Sequence, residues 1–415
     1  MAAANVRRSA PARHEDSRPT ASIDLAREKT LTVEVWPDLT SVEQVWRRLE
    51  SAGGCSPYQR FDWIASYVST MGRREGVSVC VLSVQHGSGE PLLLLPLAVH
   101  RYRGVRIASP IGGKQANYHC PVMAAGAGPA LDDGTMTRLL REAGAQAGID
   151  VFAFQNLPLA WRGERNPLVL PGAIPSPSNA PKTALPAKAE TLLAQIGTSE
   201  SRRKLRRKEA GLATLGNLTS FIAQSPGEVD RILDAFFRQK NERLRELGIV
   251  SPFEDEASHA FVRAGCLAGL AGGRPAIELH GLALDGEIIA TYGGAVDGER
   301  FSCMINSFDL SSRFARFSPG DVLLARVIGT QCSLGRTVLD LGIGEARYKS
   351  FFCKDVEQLV DVFLPVTGLG KLYRLALEQL STAKRYVKQT PSLWSLVLAL
   401  RAKFGQARAG FSRPA

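Results

Sequence analysis

Seven cysteines lie scattered at 55, 80, 120, 266, 303, 332 and 353, with no CxxC pair and no zinc-ligand spacing among them. That excludes a structural zinc module and argues against a disulfide framework. An odd, dispersed set inside apolar runs reads as reduced core thiols, so a cytoplasmic setting is expected. No metal ion is expected. A long apolar run is also missing: residues 91–99 are far short of the ~20 residues that span a bilayer. The opening MAAANVRRSAPARHEDSRPT has no apolar stretch behind its arginines. Residues 1–30 therefore read as a disordered tail and not as a secretory signal. Recognition-helix motifs are absent and the positive charge is spread, which disfavours a DNA-binding role.

What is present is a globular composition, 45% apolar and 22% charged, with a formal charge of +11. A chain of 415 residues exceeds one ordinary core, so two modules are expected. The excess charge favours anionic partners such as coenzyme phosphates, nucleic acid or an anionic membrane face.

Residues 31–35 alternate as a strand, helical patterns follow near 42–49 and 61–68, and 77–84 with 91–99 form a hairpin across Gly87-Ser88-Gly89-Glu90. A helix near 131–147 leads through Gly148 into a strand at 150–155. Residues 158–200 begin with a Pro-, Ser- and Ala-rich stretch and read as a linker.

The second half opens on a basic block, Ser201-Arg202-Arg203-Lys204-Leu205-Arg206-Arg207-Lys208. A helix follows, with Ser225 as its cap, Pro226 in its first turn, Glu228 completing a capping box and Gly248 as its stop. Three strands, 278–284, 288–296 and 300–308, are joined by Asp285-Gly286 and Asp297-Gly298, the signature of an antiparallel meander. Helix 319–334, strand 337–341, a short helix near 346–353 and strand 359–364 come next. Strand 300–308, the helix and strand 337–341 form a crossover unit, so those two strands should be parallel. A sheet that changes direction there can splay open and admit a ligand. The first half repeats this plan loosely, which points to a tandem of similar modules.

The residues that carry chemistry cluster in two stretches. Arg313-Phe314-Ala315-Arg316-Phe317-Ser318-Pro319-Gly320-Asp321 leads into the crossover helix, whose unpaired amides and dipole suit a phosphate. Against that, Asp321 puts a negative charge where an anion would sit. Asp340-Leu341-Gly342-Ile343-Gly344-Glu345-Ala346-Arg347-Tyr348-Lys349 follows the next strand, and its glycines would let chain or ligand pass close.

In order and spacing, Phe308-Asp309, Ser318-Pro319-Gly320, Gly335, Asp340-Leu341-Gly342 and Tyr348-Lys349 resemble the BioF-like and CelD-type acetyltransferases. These are a branch of the GNAT superfamily related to the FemAB aminoacyltransferases. The resemblance extends over 282–290, over 201–208 with the helix after it, and over Pro57-Tyr58-Gln59-Arg60-Phe61-Asp62-Trp63, Leu95-Pro96-Leu97 and Asn117-Tyr118, roughly residues 31–370 in all. It implies an α/β (α+β) fold of tandem GNAT-like modules, mixed central sheets flanked by helices. A degenerate module at 31–157, a catalytic one at 201–370 and a helical tail at 371–415 follow from it.

The resemblance also implies an acyl-CoA co-substrate, acetyl-CoA above all, and a role in cellulose or other exopolysaccharide production beside a synthase complex at the inner face of the membrane. Arg316, Phe317, Ser318, Pro319 and Gly320 would meet the coenzyme's pyrophosphate, and Asn306 its pantetheine arm. Tyr348 would protonate the departing thiolate, and Lys349 would balance charge. Asp309, Asp340 and Glu345 are candidate bases. His119 stands beside Tyr118, where the first module would line an acceptor cleft. No Ser-His-Asp spacing supports an acyl-enzyme, so direct transfer to an amine or sugar hydroxyl is expected. Two rivals are an aminoacyl-tRNA-dependent transferase using the basic block, which reads better as a solvated helix face, and an inactive partner of a synthase complex docked on a membrane or synthase through the apolar tail 392–404, which reads better as a helix closing the last module.

Overall fold

The computed structural model describes residues 31–395 and 397, apart from 196, 197, 345 and 391. The expected disordered tail, the candidate base Glu345 and most of the tail 392–404 lie outside the described residues. Two mixed sheets carry the fold. The first runs, edge to edge, through Leu31–Trp36, Ser78–His86, Pro91–Tyr102, Val105–Pro110, Val151–Pro158, Leu359–Pro365 and Ile174–Pro175. The second runs through Leu218–Ile222, Ile277–Leu284, Glu287–Val296, Arg300–Phe308, Val338–Asp340, Ala180–Ala184 and Asp355–Glu357.

The two sheets repeat one pattern of directions. Each is antiparallel throughout except between its fourth and fifth strands, which are parallel. In each, a helix makes that crossover: Asp133–Gln146 in the first and Pro319–Ser333 in the second. The tandem arrangement expected from the sequence is present.

One strand of each sheet is exchanged. Strand Leu359–Pro365, expected to close the second module, pairs with Val151–Pro158 in the first sheet. The supposed linker supplies the equivalent strand of the second sheet, Ala180–Ala184, paired with Val338–Asp340. Composition misleads here: Val362 and Leu364 are buried under the first sheet's helix, whereas Ala180-Pro181-Lys182-Thr183-Ala184 carries no alternating signal to mark it as a strand. One continuous apolar core joins the halves, running from Trp46, Tyr58 and Trp63 to Phe236, Phe261 and Ile277.

The meander turns differ from each other. Asp285 and Gly286 both take positive φ, 50° and 88°, as the tight primed turn requires. Asp297 does not. Its carboxylate turns inward and accepts the amides of Glu299 and Arg300 at 3.1 and 2.9 Å, making a wider loop.

Candidate active site

Strands Arg300–Phe308 and Val338–Asp340 are parallel for only three residue pairs, Arg300 with Val338 through Ser302 with Asp340. Beyond Ser302 they part. Against its other neighbour, strand Arg300–Phe308 slips register by one residue at Met304, which has no partner opposite. The split the sequence led one to expect is therefore real, and a bulge sits beside it.

A cleft of about 870 Å³ opens next to this split. Its floor is Tyr292, Asn306 and Ser307 of the meander. The crossover helix contributes Ser318, Gly320 and Asp321, and the short helix Arg347–Phe352 contributes Tyr348 and Phe351. Two long helices form the remaining wall. Helix Pro226–Glu246 starts on the expected capping box of Ser225 and Glu228 and packs Val229, Ile232, Leu233 and Phe236 inward. That face carries Gln239, Lys240 and Arg243 to the cleft. Gln239 is fixed by bonds to Ile288 O (2.9 Å) and from Ser307 Oγ (2.7 Å), and Lys240 Nζ donates to Asn306 O at 3.2 Å. Helix Ser199–Ala213, capped by Thr198, brings Lys204 and Lys208, four residues apart and so on one face.

The loop before the crossover helix is less bare than its sequence suggests. Amides of Phe317, Ser318 and Asp321 are spent on the carbonyls of Phe314, Ala315 and Ser318. Ser318 takes a left-handed backbone, φ 46°, and makes no cap; its hydroxyl accepts from Lys208 Nζ at 2.8 Å. Lys208 also pairs with Asp321 at 3.1 Å, which answers the charge that Asp321 places at the helix start. Lys204 and Arg243 face no carboxylate among the described residues, so the cleft keeps a net positive lining. Arg243 also lies over the Phe308 ring, 4.6 Å from its centroid.

Two titratable groups on the wall are perturbed. Burial, then the neighbouring Cys303 thiol, pushes the Tyr348 phenol above its ordinary range, with a bond to Asn306 pulling the other way. Burial, then the charges of Arg243 and Lys349, lowers the Lys240 ammonium below the usual lysine value.

Of the residues given a catalytic or coenzyme-binding role from the sequence, Tyr348, Asn306, Ser318 and Gly320 meet in this cleft, and Phe308 and Asp321 line it beside them. Asp309, Arg316, Phe317, Pro319, Asp340, Lys349 and His119 do not line it. Asp340 is fully buried, accepting from Ser302 Oγ (2.7 Å), Tyr118 OH (3.0 Å) and Gly342 N (3.1 Å), with Arg300 at 3.5 Å. Lys349 is buried too, and its ammonium donates to the carbonyls of Gly342 and Ile343, both at 3.0 Å. Asp309 caps a turn through Ser311 N at 2.7 Å. Arg316 is exposed and stacks on Phe317, Phe317 packs against Gly211, and Pro319 is buried. His119 is a core residue, 4% exposed, and burial lowers its pKa to about 4. Sequence reasoning took Lys204 and Lys208 for part of a solvated helix face and missed Lys240 and Arg243. Their spacing on single helix faces was the available signal.

Residues 199–350 match the family described as an acetyltransferase (GNAT) domain. The fold is likewise that of FemX, with a TM-score of 0.53 at 11% identity over 82% of this chain and all of that one. The chain is also similar to the C-terminal domain of a lysylphosphatidylglycerol synthetase from Agrobacterium fabrum, at 14% identity and a TM-score of 0.47 over 83% of this chain and 96% of that one. A tandem GNAT protein from the clavulanic acid biosynthesis pathway gives 12% identity and 0.44, over 81% and 99%. No curated protein matches by sequence. Fold and domain match together define a tandem of GNAT-like modules, the second of which carries the match to the acetyltransferase (GNAT) domain.

Proposed function

We propose that the chain moves an acyl group, acetyl in the simplest case, from coenzyme A to an amine or a sugar hydroxyl. It would act as a cytoplasmic enzyme of the BioF-like and CelD-type branch, with residues 201–370 catalytic and 31–157 supporting them. The observation that carries this reading is the cation-lined cleft beside the split of the second sheet, with Tyr348 and Lys240 both on its wall. Lys204, Lys208 and Arg243 suit the phosphates of the coenzyme, so side chains supply the charge that the loop's committed amides cannot. The seven buried free thiols support a reducing compartment. The exopolysaccharide setting rests on the resemblance alone.

In this scheme the acyl carbonyl lies against the bulge at Met304. The acceptor nitrogen or oxygen attacks, its bond to the acyl carbon forms, and the carbon–sulfur bond breaks. Lys240, poised nearer neutrality than an ordinary lysine, takes the acceptor's proton, and Tyr348 gives its proton to the departing thiolate. Neither Asp340 nor Asp309 is placed to act as the base.

Titration calorimetry with acetyl-CoA, paired with a thiol-release assay on amine and amino-sugar acceptors, tests the reading. Binding and acceptor-dependent release support it; absence of both defeats it. A second reading, transfer from an aminoacyl-tRNA, is favoured by the exposed Arg203, Lys204, Arg206 and Arg207 on the helix that borders the cleft. Activity lost on ribonuclease treatment would select it.

A further inference from the structure

We propose that the outer face of helix Gly368–Gln389 docks on an anionic lipid surface. The inner face of this helix is committed to the first sheet. Gly370 sits so close to Asp150 that a Cβ there would lie 1.8 Å from its carbonyl oxygen. Ser381 Oγ donates to the buried Asp361 at 2.6 Å, and Arg385 donates to Ser176 O at 2.7 Å. Tyr373 and Leu377 pack against Val105, Ile107 and Phe363.

The outer face is the unusual one. At about 100° per residue, Leu369, Leu372, Leu375, Leu380 and Tyr386 fall within one arc of roughly 140°. They are 47, 69, 53, 51 and 67% exposed, five of the eleven exposed large apolar side chains among the described residues. Gly368, Ala376, Gln379, Ala383 and Val387 complete the arc, and no charged side chain enters it. Lys371 and Lys384 flank its two edges. A solvent-facing helix surface would ordinarily carry its charges here.

Charge selects the occupant. From Gln379 through residue 415 the sequence holds no Asp or Glu, while Lys384, Arg385, Lys388, Arg401, Lys403, Arg408 and Arg413 are all basic. Directly after the helix comes Leu393-Trp394-Ser395-Leu396-Val397-Leu398-Ala399-Leu400, which prolongs the apolar composition before those last cations. An apolar stripe bordered by cations, with the helix's one acid, Glu378, turned to the far side and paired with Arg374, is complementary to acyl chains beneath phosphate headgroups. Among the described residues no helix is long and apolar enough to cross a membrane.

The full chain should be sedimented with phosphatidylcholine vesicles, and with vesicles that also contain phosphatidylglycerol. Binding to the anionic vesicles should be roughly ten-fold stronger and should weaken as salt rises. Leu372→Asp with Leu380→Asp should reduce it by about ten-fold or more while the thermal melt and thiol release stay unchanged, since neither residue touches the cleft. Failure to bind either vesicle, or equal binding by the double variant, overturns the proposal. So does a dimer in light scattering that the double variant dissolves, which would make the face a contact between copies. Binding that emerges only after residues 391–415 are removed overturns it as well, because the chain's own end would then cover the stripe.

Discussion

The side-chain amide of Asn117 donates to the carbonyl of Cys303 at 3.0 Å, reaching from the first module into the split of the second sheet. Its oxygen accepts the amide of Ile343 at 3.2 Å, so one side chain spans both edges of the opening. The same Nδ2 also donates to Tyr58 OH, and Gly342 is small enough to let Asn117 approach. Asn117→Ala should lower stability by about 1–3 kcal/mol in urea titration, since it leaves buried partners unsatisfied. Acyl transfer should fall by more than that loss of stability explains, because the split loses its spacer. Asn117→Asp keeps the bond from Ile343 but cannot donate to Cys303, and should restore little.

The cleft's charges give a test with opposite signs. Asp321→Asn removes the carboxylate that Lys208 answers, and acyl-CoA should bind more tightly, by roughly 3–10-fold. Arg243→Met removes a cation with no carboxylate of its own and should weaken binding by about 10–100-fold. Calorimetry on both variants reads the two directions.

Proton traffic should follow Lys240 and Tyr348. Because the Lys240 ammonium is held below its ordinary value, its neutral form accumulates as pH rises and does so earlier than for a free lysine near ~10.4. The ratio kcat/KM should climb with pH and level off below that value. Lys240→Gln should lose this limb along with about 10²–10⁴ in rate. Tyr348, raised by burial, stays protonated through the neutral range. Tyr348→Phe should lower kcat on a similar scale without changing the affinity for acetyl-CoA.

Stability in acid should depend on Glu278. Burial alone would raise its pKa, but bonds with His280 and Arg336, the latter at 2.7 Å, outweigh burial and hold the carboxylate well below its ordinary value. A depressed folded value contributes stability that is complete above the unfolded glutamate value, ~4.3, and is lost as pH falls below it. Arg336→Met should cost about 3–5 kcal/mol at neutral pH by leaving a buried charge unpaired. In urea titrations that penalty should shrink as the pH is taken below the same value.

The parts of the fold written in local chemistry were legible. The capping box of Ser225 and Glu228, the turn at Asp285-Gly286 and the stop at Gly335 mark their elements because each satisfies a backbone demand within a few residues. What depended on distant partners was not. Nothing local tells Leu359–Pro365 which sheet to join, and nothing in Asp340 shows that Tyr118, a residue of the other module, would fill its hydrogen-bonding capacity. Tyr348 and Asn306 could be placed because the resemblance fixed their neighbourhood. Lys240 could not, since a lysine on an amphipathic helix looks like any solvated one until strand Arg300–Phe308 is laid against it.

The traded strands set a limit on how this molecule can be made. The first sheet lacks an interior strand until residues near 365 have left the ribosome, and the second takes one of its own from residues synthesised long before its meander. Early-emerging chain must therefore wait, incompletely paired, for the last third of translation, which is when it is open to aggregation. A gene cut near codon 200 would yield two fragments that each carry a gap where the other's strand belongs.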